Sequence, residues 1–125
     1  MNFIEKALVR KVMKPQIISL GEDHAMLKFE QFGMIKKYAG GYLDRLGDVM
    51  NYLPGVIGCE LNEQDGSLSI NYDATRTDVR KIGKWFDCAV EAGIKASDEM
   101  DLASSSGDEI ISAIKKHLLP MASDF

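Results

Sequence analysis

Residues 53 to 73, LPGVIGCELNEQDGSLSINYD, leave few folds open to the chain that contains them. Ile57, Cys59 and Leu61 alternate with Gly58, Glu60 and Asn62, and Asp65-Gly66 supplies a tight turn. Beyond the turn, Leu68, Ile70 and Tyr72 alternate with Ser67, Ser69 and Asn71. The pattern predicts an antiparallel hairpin with one apolar face, and such a face must be covered by another layer. Helices are expected on both sides of it. Upstream, Leu43, Leu46, Met50 and Leu53 recur near the helical period and predict a helix over about residues 36 to 52, its first turns weakened by Gly40 and Gly41. Downstream, Thr77 is expected to cap a helix with Asp78 in its first turn. Val79, Ile82, Phe86, Ala89 and Val90 give that helix an apolar stripe up to Gly93. A short strand at Ile94 to Ala96 is expected to follow.

Outside this region the chain carries two amphipathic segments. Residues 2 to 14 set Phe3, Ile4, Ala7, Leu8 and Val12 on one helical face and Lys6, Arg10 and Lys14 largely on the other, and Pro15 stops the helix. QIISLGEDHAMLKF then reads as a short β run, a Gly-Glu-Asp-His turn and a strand with Leu27 and Phe29 on one face. SDEMDLASSSGD is a polar linker. After it, Ser106 and Glu109 form a capping-box pattern, Ile110, Ile111, Ile114 and Leu118 make a stripe, and Pro120 ends the helix. The organisation read from this is an N-terminal helix and β extension (1–23), a central domain (24–96), and a linker with a C-terminal helix (97–125). The central order of strand, helix, strand, strand, helix, strand predicts an α+β, ferredoxin-like βαββαβ sandwich with added N- and C-terminal amphipathic helices.

With 46% hydrophobic and 27% charged residues, the composition is that of a globular protein. The net charge of −4 gives no reason to expect nucleic-acid binding. No apolar run approaches the roughly 20 residues of a membrane span, and the N-terminus lacks a secretory h-region, so a cytoplasmic location is expected. Cys59 and Cys88 are then expected as reduced thiols, at a separation that forms no zinc motif.

Several residues in one order carry a more specific likeness: Leu-Pro-Gly-Val at 53–56, the hairpin closing on Tyr72-Asp73, Thr77 opening a helix, and Glu-Ala-Gly at 91–93. In these the chain resembles the heavy-metal-associated domain family of copper chaperones and P-type ATPase N-terminal modules. The resemblance implies a Gly-Met-x-Cys-x-x-Cys loop between the first strand and first helix, where two thiolates hold a soft ion such as Cu(I) or Zn(II). Here the corresponding segment is FGMIKKYAGGY. Gly33 and Met34 match the family's Gly-Met, but the cysteine positions hold Lys36 and Ala39, or Ala39 and Tyr42 when counted back from Leu53-Pro54. There is no thiolate, and the family's metal function does not transfer to this loop.

The altered segment instead offers Met34, Lys36, Lys37, Tyr38, Gly40, Gly41 and Tyr42 as a partner-binding loop, with ammonium groups and backbone amides near a helix start. The alternative is a relocated metal site using Met34, Cys59 or His24. Cys59 also reads as a small core residue, Cys88 as an ordinary half-buried thiol, and His117 as a complement to a helix C-terminus. No catalytic set and no cofactor are expected. A thiol enzyme using Cys88 is a third, lesser reading. The expectation is a non-enzymatic binding or adaptor module in a metal transport or homeostasis context, acting on a protein partner or on itself. Weak contact of residues 1–14 with a membrane surface is a further option.

Overall fold

In the computed structural model the described residues are 2–101 and 104–125, with side chains described throughout except at 38, 39, 123 and 124. The chain runs α1 (Phe3–Val12), β1 (Gln16–Leu20), β2 (His24–Lys28), α2 (Phe32–Asp44), α3 (Leu46–Asn51), β3 (Val56–Asn62), β4 (Ser67–Tyr72), α4 (Val79–Ser97) and α5 (Gly107–Leu118). A 3-10 segment, Leu119–Asp124, closes it. The strands form one antiparallel sheet in the order β1-β2-β4-β3. Because β2 and β3 both run antiparallel to β4, they are parallel to each other with β4 between them. The molecule is an α+β fold.

Register decides which side chains meet the helices. Ala25 and Cys59 flank Ile70, and Leu27 and Leu61 flank Leu68, so these six share one face. Ala25, Leu27, Leu68 and Ile70 are buried on that face under the helices. His24, Met26, Glu60, Ser69 and Asn71 occupy the other face, where Glu60 and Asn71 are exposed. The hairpin expected from residues 53–73 is present, with one correction. The register slips between Val56 and Gly58, and Ile57 turns out to solvent with 71% of its surface exposed.

The helical layer departs from expectation in three places. The helix expected from about residue 36 begins at Phe32 and breaks at Arg45 into α2 and α3. Packing of Ile35, Tyr42 and Leu43 into the core outweighs the low helix propensity of Gly33, Gly40 and Gly41. The cap of α4 is Asp78, whose side chain accepts from the Lys81 N–H at 3.0 Å, and not Thr77, which is buried one residue earlier. Finally, Ile94–Ala96 is not a strand. Residues 94–96 continue α4, with Ala92, Gly93, Ile94 and Ala96 buried, and the fourth strand of the sheet is β1 from the N-terminal side.

The terminal helices join the helical layer and leave the second sheet face open. In α5, the Ser106 hydroxyl accepts from the Glu109 N–H at 3.2 Å, as the capping pattern requires, and Ile110, Ile114 and Leu118 are fully buried against α4 and α2. Arg45 ties the α2–α3 break to Asp108, and Glu99 meets His117 at 2.8 Å and Lys116 at 3.3 Å. The Trp85 indole N–H donates to the Val49 carbonyl at 2.9 Å, and its ring meets Phe125 edge-on at 5.3 Å. Helix α1 docks on α4 through Lys6–Asp98 (3.1 Å) and a two-bond Arg10–Glu91 pair (2.5 and 3.0 Å), with Val9, Val12 and Met13 packed inward. Its Phe3, Ile4 and Leu8 point to solvent.

Candidate functional site

The segment read as a partner-binding loop is helical: residues 33–42 all lie within α2. Its N-cap, Gln31, makes no side-chain cap bond, and the first turn holds no acidic residue. Met34 is 43% exposed, and Lys36 and Lys37 are exposed. These side chains are therefore displayed from a fixed backbone beside the positive end of a helix dipole. Gly40 and Gly41 are half-buried in the same helix, and a Cβ at Gly40 would meet nothing within 4 Å. The Tyr38 side chain lies outside the described residues. Tyr42 is turned inward, 3% exposed, with its hydroxyl lacking a hydrogen-bond partner among the described residues and its pKa pushed up by burial. The Tyr42 ring fills the space above Gly93 of α4, where a Cβ would come within 3.1 Å of Cε2.

The three residues named for a relocated metal site are separated by the fold. His24 lies on the open sheet face, half-buried, its Nε2 2.8 Å from Ser69 Oγ. Cys59 lies opposite Ile70 on the helix-covered face, and burial pushes its thiol up to about 12, which keeps it protonated at neutral pH. Met34 belongs to α2, in a different layer. The sheet thus stands between the imidazole and the thiol. Among the described residues, no group of three or more His, Cys, Asp or Glu is placed to hold a metal ion. Cys88 is half-buried on α4, and His117 pairs with Glu99, whose carboxyl is held below its ordinary value by that hydrogen bond first and by Lys116 as well.

Of the residues that carried the family resemblance, those at 53–56, 72–73 and 77 meet in space, while 91–93 lie within α4. Gly55 has φ +100°, a conformation glycine tolerates, and a Cβ there would fall 2.9 Å from Thr77 Cγ2. The Gly55 carbonyl accepts from the Asp73 N–H at 2.7 Å, and the Asp73 side chain accepts from both the N–H and the hydroxyl of Thr75. Leu-Pro-Gly-Val, Tyr72-Asp73 and Thr77 thus form one corner at which the β3–β4 hairpin enters and leaves the helical layer. The corner is held by close packing at Gly55 and by the hydrogen bonds of Asp73.

Sequence reasoning missed the exposure of β1. All five of its residues are exposed, and the segment QIISL carries no charge. Its composition was the available signal. Among the described residues, no helix is long and apolar enough to cross a membrane. No protein-family model, curated protein or solved structure matches the chain.

Proposed function

We propose that this chain is a non-enzymatic binding or adaptor module, related to the heavy-metal-associated fold, that works by protein contact in a metal transport or homeostasis setting. The observation that carries the reading is the display of Met34, Lys36 and Lys37 on the outward side of α2, in the segment where the resemblance would put metal-binding thiolates. A fixed cationic helix end with an adjacent thioether suits an acidic, partly apolar protein surface. The order β2, α2–α3, β3, β4, α4, with β4 inserted between the parallel β2 and β3, supports kinship with a split βαβ unit. On this reading β1 takes the sheet edge that a strand after α4 would otherwise fill. The family link itself rests on the residues around 53–56, 72–73 and 77.

The competing reading, a metal carrier with relocated ligands, is disfavoured within one chain because His24 and Cys59 stand on opposite faces of the sheet. Two measurements test the proposal. Reduced protein titrated anaerobically with Cu(I) or Zn(II) against a chromophoric chelator is expected to withdraw no metal. Stoichiometric withdrawal that Cys59→Ser or Cys88→Ser abolishes would establish the carrier instead. In the second, a photo-crosslinker at position 34 is expected to give one discrete protein adduct in cells, lost on Lys36→Glu. Crosslinking that ignores this charge reversal would remove α2 as the contact surface.

A further inference from the structure

Strand β1 forms one edge of the sheet and is bonded, among the described residues, to β2 alone, so its outer row of backbone N–H and C=O groups has no strand partner there. Natural proteins guard such edges with internal charges, prolines or bulges. Here the five residues Gln16–Leu20 are uncharged, and Pro15 stands before the strand, not within it. The remaining guard is a one-residue slip at Ile18, between the pairs Ile17–Leu27 and Ser19–Met26, which twists the edge and limits any added ladder to a few bonds. The slip also sets the apolar side chains. Ile17 faces as Leu27 does and Leu20 as Ala25 does, toward the side that the helices cover elsewhere in the sheet. Ile17 and Leu20 nevertheless remain 56% exposed each, and Ile18 49%.

The flanks of the strand select its partner. Lys14 precedes β1, and Glu22 and Asp23 follow it; all three are exposed and make no ion pair among the described residues. Suppose two copies of β1 run antiparallel about a two-fold axis at Ile18 or between Ile18 and Ser19. Each Lys14 then comes against the Glu22-Asp23 pair of the other copy, and the match occurs twice. Parallel pairing would set lysine on lysine and acid on acid. The opposite edge offers no such match, because β3 carries Glu60 within it and is backed by α3. We propose that β1 is a self-complementary edge on which a second copy of this chain docks antiparallel, joining the two four-stranded sheets into one. The inference is independent of the reading of α2, and a failure of either leaves the other standing.

A five-residue strand spans about 17 Å, and an interface of that size is weak, so association must be read across concentration. Light scattering from about 1 µM to about 1 mM is expected to show the mass rising from 13.9 kDa toward twice that value. Ile18→Lys should hold the protein at the monomer mass, while Ile57→Lys on the far edge should leave association unchanged. Lys14→Glu should raise the dissociation constant about tenfold or more, and adding Glu22→Lys and Asp23→Lys to it should restore the wild-type value. An unchanged circular dichroism spectrum of Lys14→Glu checks that the single variant folds. Without any substitution, amide exchange in β1 should slow with concentration while that of β3 does not. A monomer at the highest concentration would overturn the proposal. So would a dimer indifferent to both Ile18→Lys and the charge swap.

Discussion

At Gly40 and Gly55 the same residue type answers opposite demands. Gly40 lies within α2 and its missing Cβ would meet nothing within 4 Å, so alanine there gains helix propensity without a clash. Gly55 sits at φ +100°, with Thr77 Cγ2 2.9 Å and Arg76 Cβ 3.1 Å from the place a Cβ would occupy. Urea titration should therefore find Gly40→Ala more stable by about 0.5–1 kcal/mol, and Gly55→Ala less stable by about 1–3 kcal/mol. A neutral Gly55→Ala would mean that the corner is not the steric lock described. Cys59 gives a second residue-scale test. Its thiol, raised to about 12 by burial, has almost no thiolate at about pH 8, where a free cysteine with pKa near 8.5 is partly ionised. In a Cys88→Ser background, Cys59 should label with a thiol reagent orders of magnitude faster in urea than in the native state. Rapid native labelling would contradict its place on the covered face.

Among the elements, α1 is held differently from the rest, since its contact with α4 combines a small apolar seam with two exposed ion pairs. The carboxyl of Glu91 is held below its ordinary value of 4.5, chiefly by the Arg10 hydrogen bonds, and that of Asp98 below 3.8, chiefly by Lys6. A carboxylate whose folded pKa is depressed stabilises the fold above the unfolded pKa, and that contribution is lost as pH falls through the folded value. The stability difference between wild type and Glu91→Gln should thus be constant near neutral pH, shrink from about pH 4.5 downward and vanish in stronger acid. A difference that persists below the folded-state pKa would assign Glu91 a role other than pairing with Arg10. The elements also mark how far the sequence could be read. Alternation made β4 and the turn legible, and the Ser106–Glu109 pattern marked the start of α5. Gly93 looked like a helix end because glycine usually is one. The helix continues past it with Ile94 and Ala96 buried, and the Tyr42 ring packs against Gly93, a contact between positions 51 residues apart that no local pattern reveals. Ile57 was misassigned for a similar reason: a register slip is set by the neighbouring strand. The α2 surface was legible as a set of residues, and as a helix from about residue 36, but its start at Phe32 was not, because three glycines masked the burial of Ile35, Tyr42 and Leu43 that holds it in shape.

For the molecule as a whole, the two chain extensions that pack on α4 are of unequal weight. Helix α5 puts Ile110, Ile114 and Leu118 wholly out of water, and at about 1.5–3 kcal/mol for each such side chain their burial amounts to about 5–9 kcal/mol. That is comparable with the about 5–15 kcal/mol by which a domain is stable at all. By contrast, α1 contributes the half-buried Val9 and Val12, with the buried Met13 just beyond its end, for a total of about 3 kcal/mol. Trp85, the single tryptophan, reports on the difference, because its indole lies between the Val49 carbonyl and Phe125. Removing residues 2–14 should lower the urea midpoint while leaving one cooperative transition and an unchanged native Trp85 emission. Removing residues 107–125 should red-shift that emission and abolish the cooperative transition, since it uncovers the helical layer and takes away Phe125 together. If the second truncation instead kept a sharp transition with a buried tryptophan, residues 1–106 would fold without α5, and α5 would be an appendage whose reason must be sought in what it contacts outside the chain.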